Sequence, residues 1–229
     1  MKEVKDIVDQ VIESRYSCRS FAQLPIIQSD LEDILRVASS APSGTNTQPW
    51  NVFVVLGETK RTLSERIITA SRDPEASTRY TEPYPYYPKA WITPFVERRR
   101  KVGLDLYGLL GIQKGDRAGM QAQNERNYTF FDAPVALIFT THRIMEQGSW
   151  LDYGMFVQNI MIAAKARGLD TCPQAALNPF HTIIFEHLGI GDQHTMICAM
   201  SLGYANQDAP ENQMRTERAP IDEWLRFIE

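Results

Sequence analysis

Three polar residues alternate along a short segment near the start of the chain: Arg15, Ser17 and Arg19. The helical periodicity of the preceding residues is lost here, so we expect an extended segment in which these side chains leave one face about 6.6 Å apart. Arginine stays charged and binds phosphate in a bidentate manner, so two guanidinium groups with a hydroxyl between them could hold a phosphate and further polar oxygens. A solvated basic turn is the alternative interpretation.

A second polar string, residues 42–49, lies between a predicted helix and a predicted strand. Its prolines stiffen the loop, and Gly44 permits a close approach of the backbone to a ligand. Ser43, Asn46 and Gln48 provide hydrogen-bond donors and acceptors. Such a loop could hold the edge of a flat polar heterocycle, although an ordinary helix-to-strand connection is also possible.

Other familiar chemistry is not indicated. The sequence has neither a glycine-rich dinucleotide fingerprint after a strand nor a P-loop, and it lacks the zinc-protease and serine-hydrolase motifs. The histidines lack the spacing of metal ligands, so we expect ordinary surface or core roles and no metal. They are His142, His181, His187 and His194.

Composition excludes several further classes. The 229 residues suit one large domain or two small ones, and 24 basic against 28 acidic side chains give a net charge of −4, which argues against nucleic-acid binding. Cys18, Cys172 and Cys198 form neither a disulfide framework nor a zinc motif, which favours a cytoplasmic protein. The N-terminus lacks a signal-peptide core and no apolar run is long enough to cross a bilayer, so we expect no membrane partner.

The elements that must position these residues are a mixture of helices and strands. Apolar spacing predicts a helix at 3–13 with one buried stripe, a helix from the capping box at 29–32 to Pro42, and helices at 59–71 and 150–167. Strands are predicted at 50–56, 133–141 and 196–202, and a short terminal segment at 221–228. Because strict βαβ alternation is missing, the pattern favours an α+β fold.

An irregular segment rich in Pro and Tyr runs from 73 to 94. It is followed by a charged helix around Arg98–Arg100 and a stretch punctuated by glycines, from Gly103 to Gly119, which we expect to be mobile. Long irregular insertions are usually functional or disordered, and aromatic residues favour function. Four aromatic residues could form a lid, with simple surface packing as the alternative: Tyr84, Tyr86, Tyr87 and Trp91.

The strings at 14–21 and 41–50 together resemble the N-terminal signature of the nitroreductase family. Further matches follow in the same order along the chain: Asp132-Ala133-Pro134, Gly168-Leu169-Asp170-Thr171-Cys172-Pro173, Leu202-Gly203-Tyr204 and Arg218-Ala219-Pro220. The resemblance spans nearly the whole chain, with the segment 73–120 matching least.

The resemblance implies an α+β flavoprotein with a mixed central sheet flanked by helices, built as an intertwined homodimer with two FMN sites shared between subunits. The chain would be a single domain, 1–229, with a lid or insertion at 73–120. It would be an oxidoreductase that passes electrons from NAD(P)H to nitroaromatic or similar electron-poor aromatics by a ping-pong mechanism, with the flavin carrying the chemistry and no catalytic side chain.

The resemblance also assigns FMN contacts. Arg15, Ser17 and Arg19 would hold the phosphate and the pyrimidine side, and the loop would reach the flavin from the partner subunit. Residues 174–176 would place backbone amides beside flavin N5, where many members have Glu-Gly. The contacting amide before the mid-chain strand would be Asn124 or Asn127. The full set is Arg15, Tyr16, Ser17, Arg19, Pro42, Ser43, Gly44, Asn46, Asn127, Gln174, Ala175, Ala176, Arg215 and Arg218.

Several alternatives stay open. The same scaffold resembles flavin-dependent reductive dehalogenases and a flavin-fragmenting enzyme, and a flavin-binding carrier or sensor without turnover would carry the same motifs. A domain that binds no flavin is a further possibility. Arg98, Arg99 and Arg100 could attract an acidic aromatic such as a nitrobenzoate, or could simply be a charged helix face.

Overall fold

The computed structural model describes residues 3–229 as an α+β protein in which helices cover both faces of one sheet. None of the helices in this range is long and apolar enough to cross a membrane. The helices are α1 (Val4–Ser14), α2 (Gln28–Ala38), α3 (Gly57–Ser71), α4 (Ala76–Arg79), α5 (Phe95–Leu109), α6 (Arg117–Glu125), α7 (Gln147–Lys165), α8 (His181–Leu188) and α9 (Ile221–Trp224). The strands are β1 (Asn51–Leu56), β2 (Val135–His142), β3 (Asp170–Gln174) and β4 (His194–Gly203).

The strands are ordered β1-β2-β4-β3, and every neighbouring pair is antiparallel. A parallel component comes from an isolated bridge between Ser17 and Thr171, so the expected mixed character is confined to this bridge at the outer side of β3. Pro173 lies in β3, which is consistent with an edge position because proline cannot donate a ladder hydrogen bond.

Strand β2 separates two hydrophobic clusters, because successive side chains of a strand point to opposite faces. Leu137 and Phe139 pack with α2 and α7, whereas Ala136 and Ile138 pack with α3 and α8. All of β2 from Val135 to Thr141 is buried. A third, smaller cluster surrounds Cys18 and Cys172 at the end of the sheet near β3.

Two expectations about helices are wrong. Helix α2 begins at Gln28 without a side-chain cap, so the predicted capping box at 29–32 lies inside the helix, where Glu32 accepts from the Gln28 amide at 2.7 Å. Helix α1 forms as predicted, but its apolar stripe is not buried within the chain. Val4 is 77% exposed and Ile7 is 50% exposed.

The segment from 95 to 125 is more regular than expected. Gly103 and Gly108 lie inside α5 and Gly119 lies inside α6, so the region predicted as glycine-punctuated is largely helical. Helices α6 and α8 and strand β3 were not predicted. Strand β3 is short, polar and interrupted by proline, and therefore lacks the alternation that identifies a strand in a sequence.

Candidate active site

The segment after α1 is extended, as predicted, and is fastened to the edge of the sheet. The Cys18 amide donates to the Thr171 carbonyl at 3.0 Å, next to the Ser17–Thr171 bridge. Cys18 and Ser20 are buried, whereas Arg15, Ser17 and Arg19 are half-buried on the alternate positions. The alternation therefore directs the two arginines and the serine away from the core.

Those three side chains all influence the pKa of the buried Cys172 thiol. The positive charge of Arg19, the Ser17 hydroxyl and the positive charge of Arg15 act on it. Each of these influences lowers the thiol pKa, but complete burial outweighs them and raises the pKa of Cys172 to about 11. The residues predicted to share one face therefore do share it.

Arginines from the two ends of the chain meet over Tyr16. The Arg215 guanidinium lies 4.1 Å from the centre of the Tyr16 ring, and the Lys165 ammonium lies 5.2 Å from it. A pocket of about 440 Å³ opens here, lined by Arg15, Arg215 and Arg218 among others. Burial and then the charge of Arg218 lower the pKa of Arg15, so like charges are crowded together in a partly desolvated place.

None of these three arginines forms an ion pair within residues 3–229. Arg215 donates to the carbonyls of Asn212 and Met214 at 2.8 and 2.9 Å, and Arg218 donates to Thr216 at 2.7 Å. Glu13 is the acidic residue of the pocket lining. Unpaired guanidinium groups that line one pocket are able to bind a multiply charged anion such as phosphate.

A second polar pocket, of about 240 Å³, is lined by Arg19 and by both candidate asparagines, Asn124 and Asn127. The Gln174 amide donates to the Asn127 carbonyl at 2.9 Å and to its side-chain oxygen at 3.3 Å. Asn124 instead donates to the Tyr128 hydroxyl at 3.2 Å. Asn127 is thus the asparagine tied to the end of β3.

Ala175 and Ala176 follow β3 directly and are half-buried. Their amide groups donate to no oxygen of the described chain, which leaves both available to an acceptor on a ligand. The side chain of Gln174 is fully engaged, since Ser201 donates to its oxygen at 2.5 Å while its nitrogen bonds Asn127. This arrangement fixes the position of the two free amides.

The loop from Pro42 to Gln48 lies apart from the arginine pocket over Tyr16. The Gly44 amide donates to the Asp152 carboxylate at 3.2 Å, near the start of α7, whereas Gln158 of α7 lines the arginine pocket. Six residues of helix separate these positions by about 9 Å and about 120° of rotation. Pro42, Gly44 and Asn46 are exposed, Ser43 is half-buried, and no contact joins them to the arginines in the part of the chain described.

Both halves of the candidate site carry unusual backbone geometry. All six non-glycine residues with positive φ in residues 3–229 belong to two short segments: Thr45, Asn46 and Gln48 in the loop, and Phe130, Phe131 and Asp132 before β2. Left-handed conformations at such residues cost free energy, and they persist mostly where the surroundings impose a functional geometry. The Ser43 hydroxyl, which accepts from the Gln48 amide at 3.0 Å, helps to impose the loop conformation.

Sequence reasoning missed several residues of the site. Thr171, whose backbone bridges to Ser17, has a buried Oγ1 that lacks a hydrogen-bond partner among residues 3–229. Buried Asn212 accepts from the Arg19 amide at 2.8 Å and so positions Arg19. Thr171 lies in the string that resembles the family, but Asn212 has no sequence signal, because its partner is 193 residues away. No group of acidic, histidine or cysteine side chains suited to a metal occurs among the described residues.

Comparisons with known proteins extend this picture. The model of the Nitroreductase family matches residues 12–204. The chain is 38% identical to 4-nitrobenzoate reductase of Pseudomonas putida over 100% of this chain and 98% of that protein. These matches cover both the N-terminal arginines and the end of β3.

Two solved structures are similar over almost their whole length. The FMN and NADPH-dependent nitroreductase NfnB from Sphigopyxis sp. strain HMH has a TM-score of 0.93 at 32% identity, covering 97% of this chain and 99% of that one. The FMN-dependent nitroreductase NfnB from Mycobacterium smegmatis in complex with NADPH has a TM-score of 0.92 at 30% identity, covering 99% and 100%. The chain therefore belongs to the nitroreductase family.

Proposed function

We propose that this chain is an FMN-dependent oxidoreductase that passes electrons from NAD(P)H to nitroaromatics or similar electron-poor aromatics. The observation that carries the proposal is the pocket of unpaired arginines over Tyr16, which matches a phosphate group. The family, the names of the relatives and their stated FMN and NADPH dependence support it.

The donor set fits FMN from one end to the other. Arg15, Arg215 and Arg218 suit the phosphate, and Ser17 follows Arg15 at the next alternate position of the extended segment. Arg19 and Asn127 line the next pocket, where they suit the polar edge of the isoalloxazine ring. The free amides of Ala175 and Ala176 would reach the flavin beside N5, a role that does not depend on the acidic side chain many family members have there.

When bound, FMN supplies the hydride acceptor and electron donor of the reaction, and nicotinamide and nitroarene would use the same face in alternation. The chain contributes position and charge. Arg19 near the pyrimidine edge places a positive charge where negative charge develops, which is the usual means of lowering such a barrier. Its backbone is held by Asn212 and its guanidinium donates to the Ser17 carbonyl at 3.2 Å.

We further propose that the active form is a homodimer, since the loop at 42–48 contacts a different face of α7 from the one that lines the arginine pocket and, within residues 3–229, bonds none of the arginines. The exposed apolar stripe of α1 and the exposed C-terminal residues Phe227 (84%) and Ile228 (92%) are surfaces that a second copy would bury. This arrangement is the shared, intertwined dimer expected from the sequence. The free cysteines support a cytoplasmic location.

We treat the chain as one domain with a lid between residues 73 and 120. Tyr84 anchors the start of this segment: its hydroxyl donates to the Ile197 carbonyl and accepts from Asn178 at 3.0 Å, and its ring packs against Trp150 at 4.2 Å. The remaining aromatic residues are more exposed, with Tyr86 at 49% and Tyr87 at 54%. An anchored base with an exposed aromatic tip suits closure over a flat substrate.

The test is anaerobic turnover. The purified protein should carry FMN absorbance and oxidise NADPH or NADH in proportion to added 4-nitrobenzoate or nitrobenzene. A colourless protein that does not bind added FMN would overturn the proposal. A flavoprotein that accepts electrons from the nucleotide but is reoxidised by a halophenol and not by either nitroarene would instead be a dehalogenase, for which the relatives reported above give no support.

A further inference from the structure

A groove of about 1080 Å³ runs along α5 and is separate from the arginine pocket over Tyr16. Helix α5 has no buried residue among those described, so one of its faces forms an open wall. Tyr107 lines both this groove and the smaller pocket that holds Arg19 and Asn127. The groove therefore adjoins the proposed flavin site at Tyr107.

The four consecutive basic residues of α5 divide between two faces. Arg98 pairs with Glu223 at 2.7 Å, and Lys101 pairs with Asp105 at 2.9 Å, both beside the C-terminal segment. Arg99 and Arg100 turn to the groove instead. Neither of them forms an ion pair within residues 3–229, so the basic run is not simply a neutralised surface of the helix.

The groove is strongly cationic. Arg99, Arg100 and Lys114 line it, and none of its lining residues is acidic. Arg99 is held in place by stacking: its guanidinium lies 4.9 Å from the centre of the Trp91 ring and 5.5 Å from that of Tyr87. Stacking uses the face of a guanidinium and leaves its N–H edge free to bind an anion.

The dimensions favour a long ligand. Arg100 and Tyr107 are separated by seven residues of helix, which is about 10.5 Å. A benzene ring with a nitro group and a carboxylate at opposite ends is shorter than this, and the volume of the groove exceeds what such a ring fills. A dinucleotide with phosphates along its length suits both the distance and the charge. Lys114 lies near the Tyr107 end, because the Ile112 amide donates back to the Tyr107 carbonyl at 2.9 Å.

We propose that this groove binds the adenosine half of NADPH, with Arg99 and Arg100 contacting the 2′-phosphate and Lys114 lying along the path of the diphosphate. The groove then makes the chain selective for NADPH over NADH. This inference rests on the proposed function, since it assumes a flavin reduced by a nicotinamide nucleotide. It adds the residues that choose between the two nucleotides.

The direct test is calorimetric titration of the FMN-loaded protein with adenosine 2′,5′-bisphosphate and with adenosine 5′-monophosphate. We expect the bisphosphate to bind at least about tenfold more tightly than the monophosphate, because its 2′-phosphate can form charge-assisted hydrogen bonds with the two arginines. Arg99→Ala with Arg100→Ala should lower the bisphosphate affinity about tenfold or more and change the monophosphate affinity much less. Arg36→Ala is the matched control, since Arg36 is an exposed arginine of α2 that pairs with Asp33.

Flavin reduction supplies the second readout. In stopped-flow experiments the double variant should lose its preference for NADPH while reduction by NADH is retained, and Lys114→Ala should weaken both nucleotides alike. Equal binding of the bisphosphate and monophosphate to the unaltered protein would overturn the inference. So would a double variant that keeps its NADPH preference but loses selectivity for 4-nitrobenzoate over nitrobenzene, because the groove would then bind the acidic substrate.

Failure of this inference is distinguishable from failure of the proposed function. A protein that binds FMN, reduces nitroarenes and uses both nucleotides equally contradicts only the role of the groove. A protein that retains no FMN and oxidises neither nucleotide contradicts both.

Discussion

The arginine pocket and the 42–48 loop are two regions with opposite relations to their own chain. The pocket is assembled within one chain from residues that are distant in sequence, with Arg215 stacked on Tyr16 and Arg218 close enough to shift the pKa of Arg15. The loop is largely exposed, and it contacts α7 through Asp152 rather than any residue of the pocket. One region is nearly complete, and the other is shaped for something outside the chain.

The difference indicates how the proposed site is divided. A chain that folds alone can arrange the charges of the arginine pocket, because the segment that carries Arg15 is bridged to the edge of its own sheet and Arg215 stacks on Tyr16. The loop keeps Thr45, Asn46 and Gln48 at positive φ without burying them, which is strain without a benefit inside the chain. A second copy that supplies the loop to the first explains both features.

The largest effect is expected from the pocket. Arg15→Ala with Arg218→Ala removes two charge-assisted contacts to the FMN phosphate, worth about 1.5–3 kcal/mol each, so FMN affinity should fall about 100-fold or more. Fluorescence of released FMN measures it. Arg36→Ala should leave the affinity unchanged, and an unchanged affinity in the double variant would place the phosphate elsewhere.

A smaller effect is expected from the α1 stripe. Ile7→Asp puts a charge into the surface that the second copy would cover, and loss of one buried aliphatic side chain costs about 1.5–3 kcal/mol in dimer stability. Sedimentation velocity should show dissociation, with loss of FMN at the same protein concentration. Asp9→Asn, on the same helix, is the control. A monomer that holds FMN as tightly as the unaltered protein would contradict the division of the site.

The side chain of Asn46 in the 42–48 loop should affect FMN affinity less than the pocket arginines do. Asn46→Gly removes the amide but tolerates the left-handed backbone, where φ is 59°. We expect FMN affinity to fall by about 1 kcal/mol, severalfold, as for one neutral hydrogen bond. Thr45→Gly, also at positive φ, controls for added flexibility of the loop. If the two variants weaken FMN equally, the amide of Asn46 makes no contact.

The smallest effect concerns Cys172, beneath the pocket. Its pKa is raised to about 11 by burial, against an ordinary value of 9.0, so the folded state keeps the thiol protonated. The resulting stabilisation of the folded state is fully present below pH 9 and is lost as the pH rises towards 11. The loss in free energy of unfolding reaches about 1 kcal/mol at pH 10. Denaturant titration at pH 7.5 and pH 10 measures the free energy of unfolding. Its decrease between these two pH values should be smaller in Cys172→Ser than in the unaltered protein. An equal loss would mean that the arginines, not burial, control this thiol.

The sequence predicts those parts of the fold that have a strong local period. Strands β1, β2 and β4 and the long helix α7 follow the predicted ranges closely, because buried apolar runs of that length have few other structures. Strand β3 does not, since its place is decided by pairing with β4 and by the bridge to Ser17. The predicted capping box is wrong, since the helix begins at Gln28 and the Glu32 carboxylate accepts from the Gln28 side chain.

For the candidate site, the alternation of Arg15, Ser17 and Arg19 was sufficient to predict a shared face. The sequence alone does not reveal that Asn212 fixes Arg19, or that Arg99 and Arg100 turn away from Arg98 and Lys101. These depend on contacts between segments far apart in the chain. The choice between Asn124 and Asn127 was left open by spacing, and both residues line the same pocket as Arg19.

The most direct test of a shared flavin site combines two defective chains. One carries Arg15→Ala and Arg218→Ala, and the other carries Gly44→Phe. Among the described residues, a Cβ added at Gly44 comes within 4 Å of Asp152 alone, at 3.9 Å, and we expect the ring on this exposed loop to project towards a partner. Neither variant should bind FMN tightly alone. A purified heterodimer should bind one FMN with unaltered affinity, because one of its two sites contains neither substitution. A heterodimer without tight FMN would contradict a site divided between two copies.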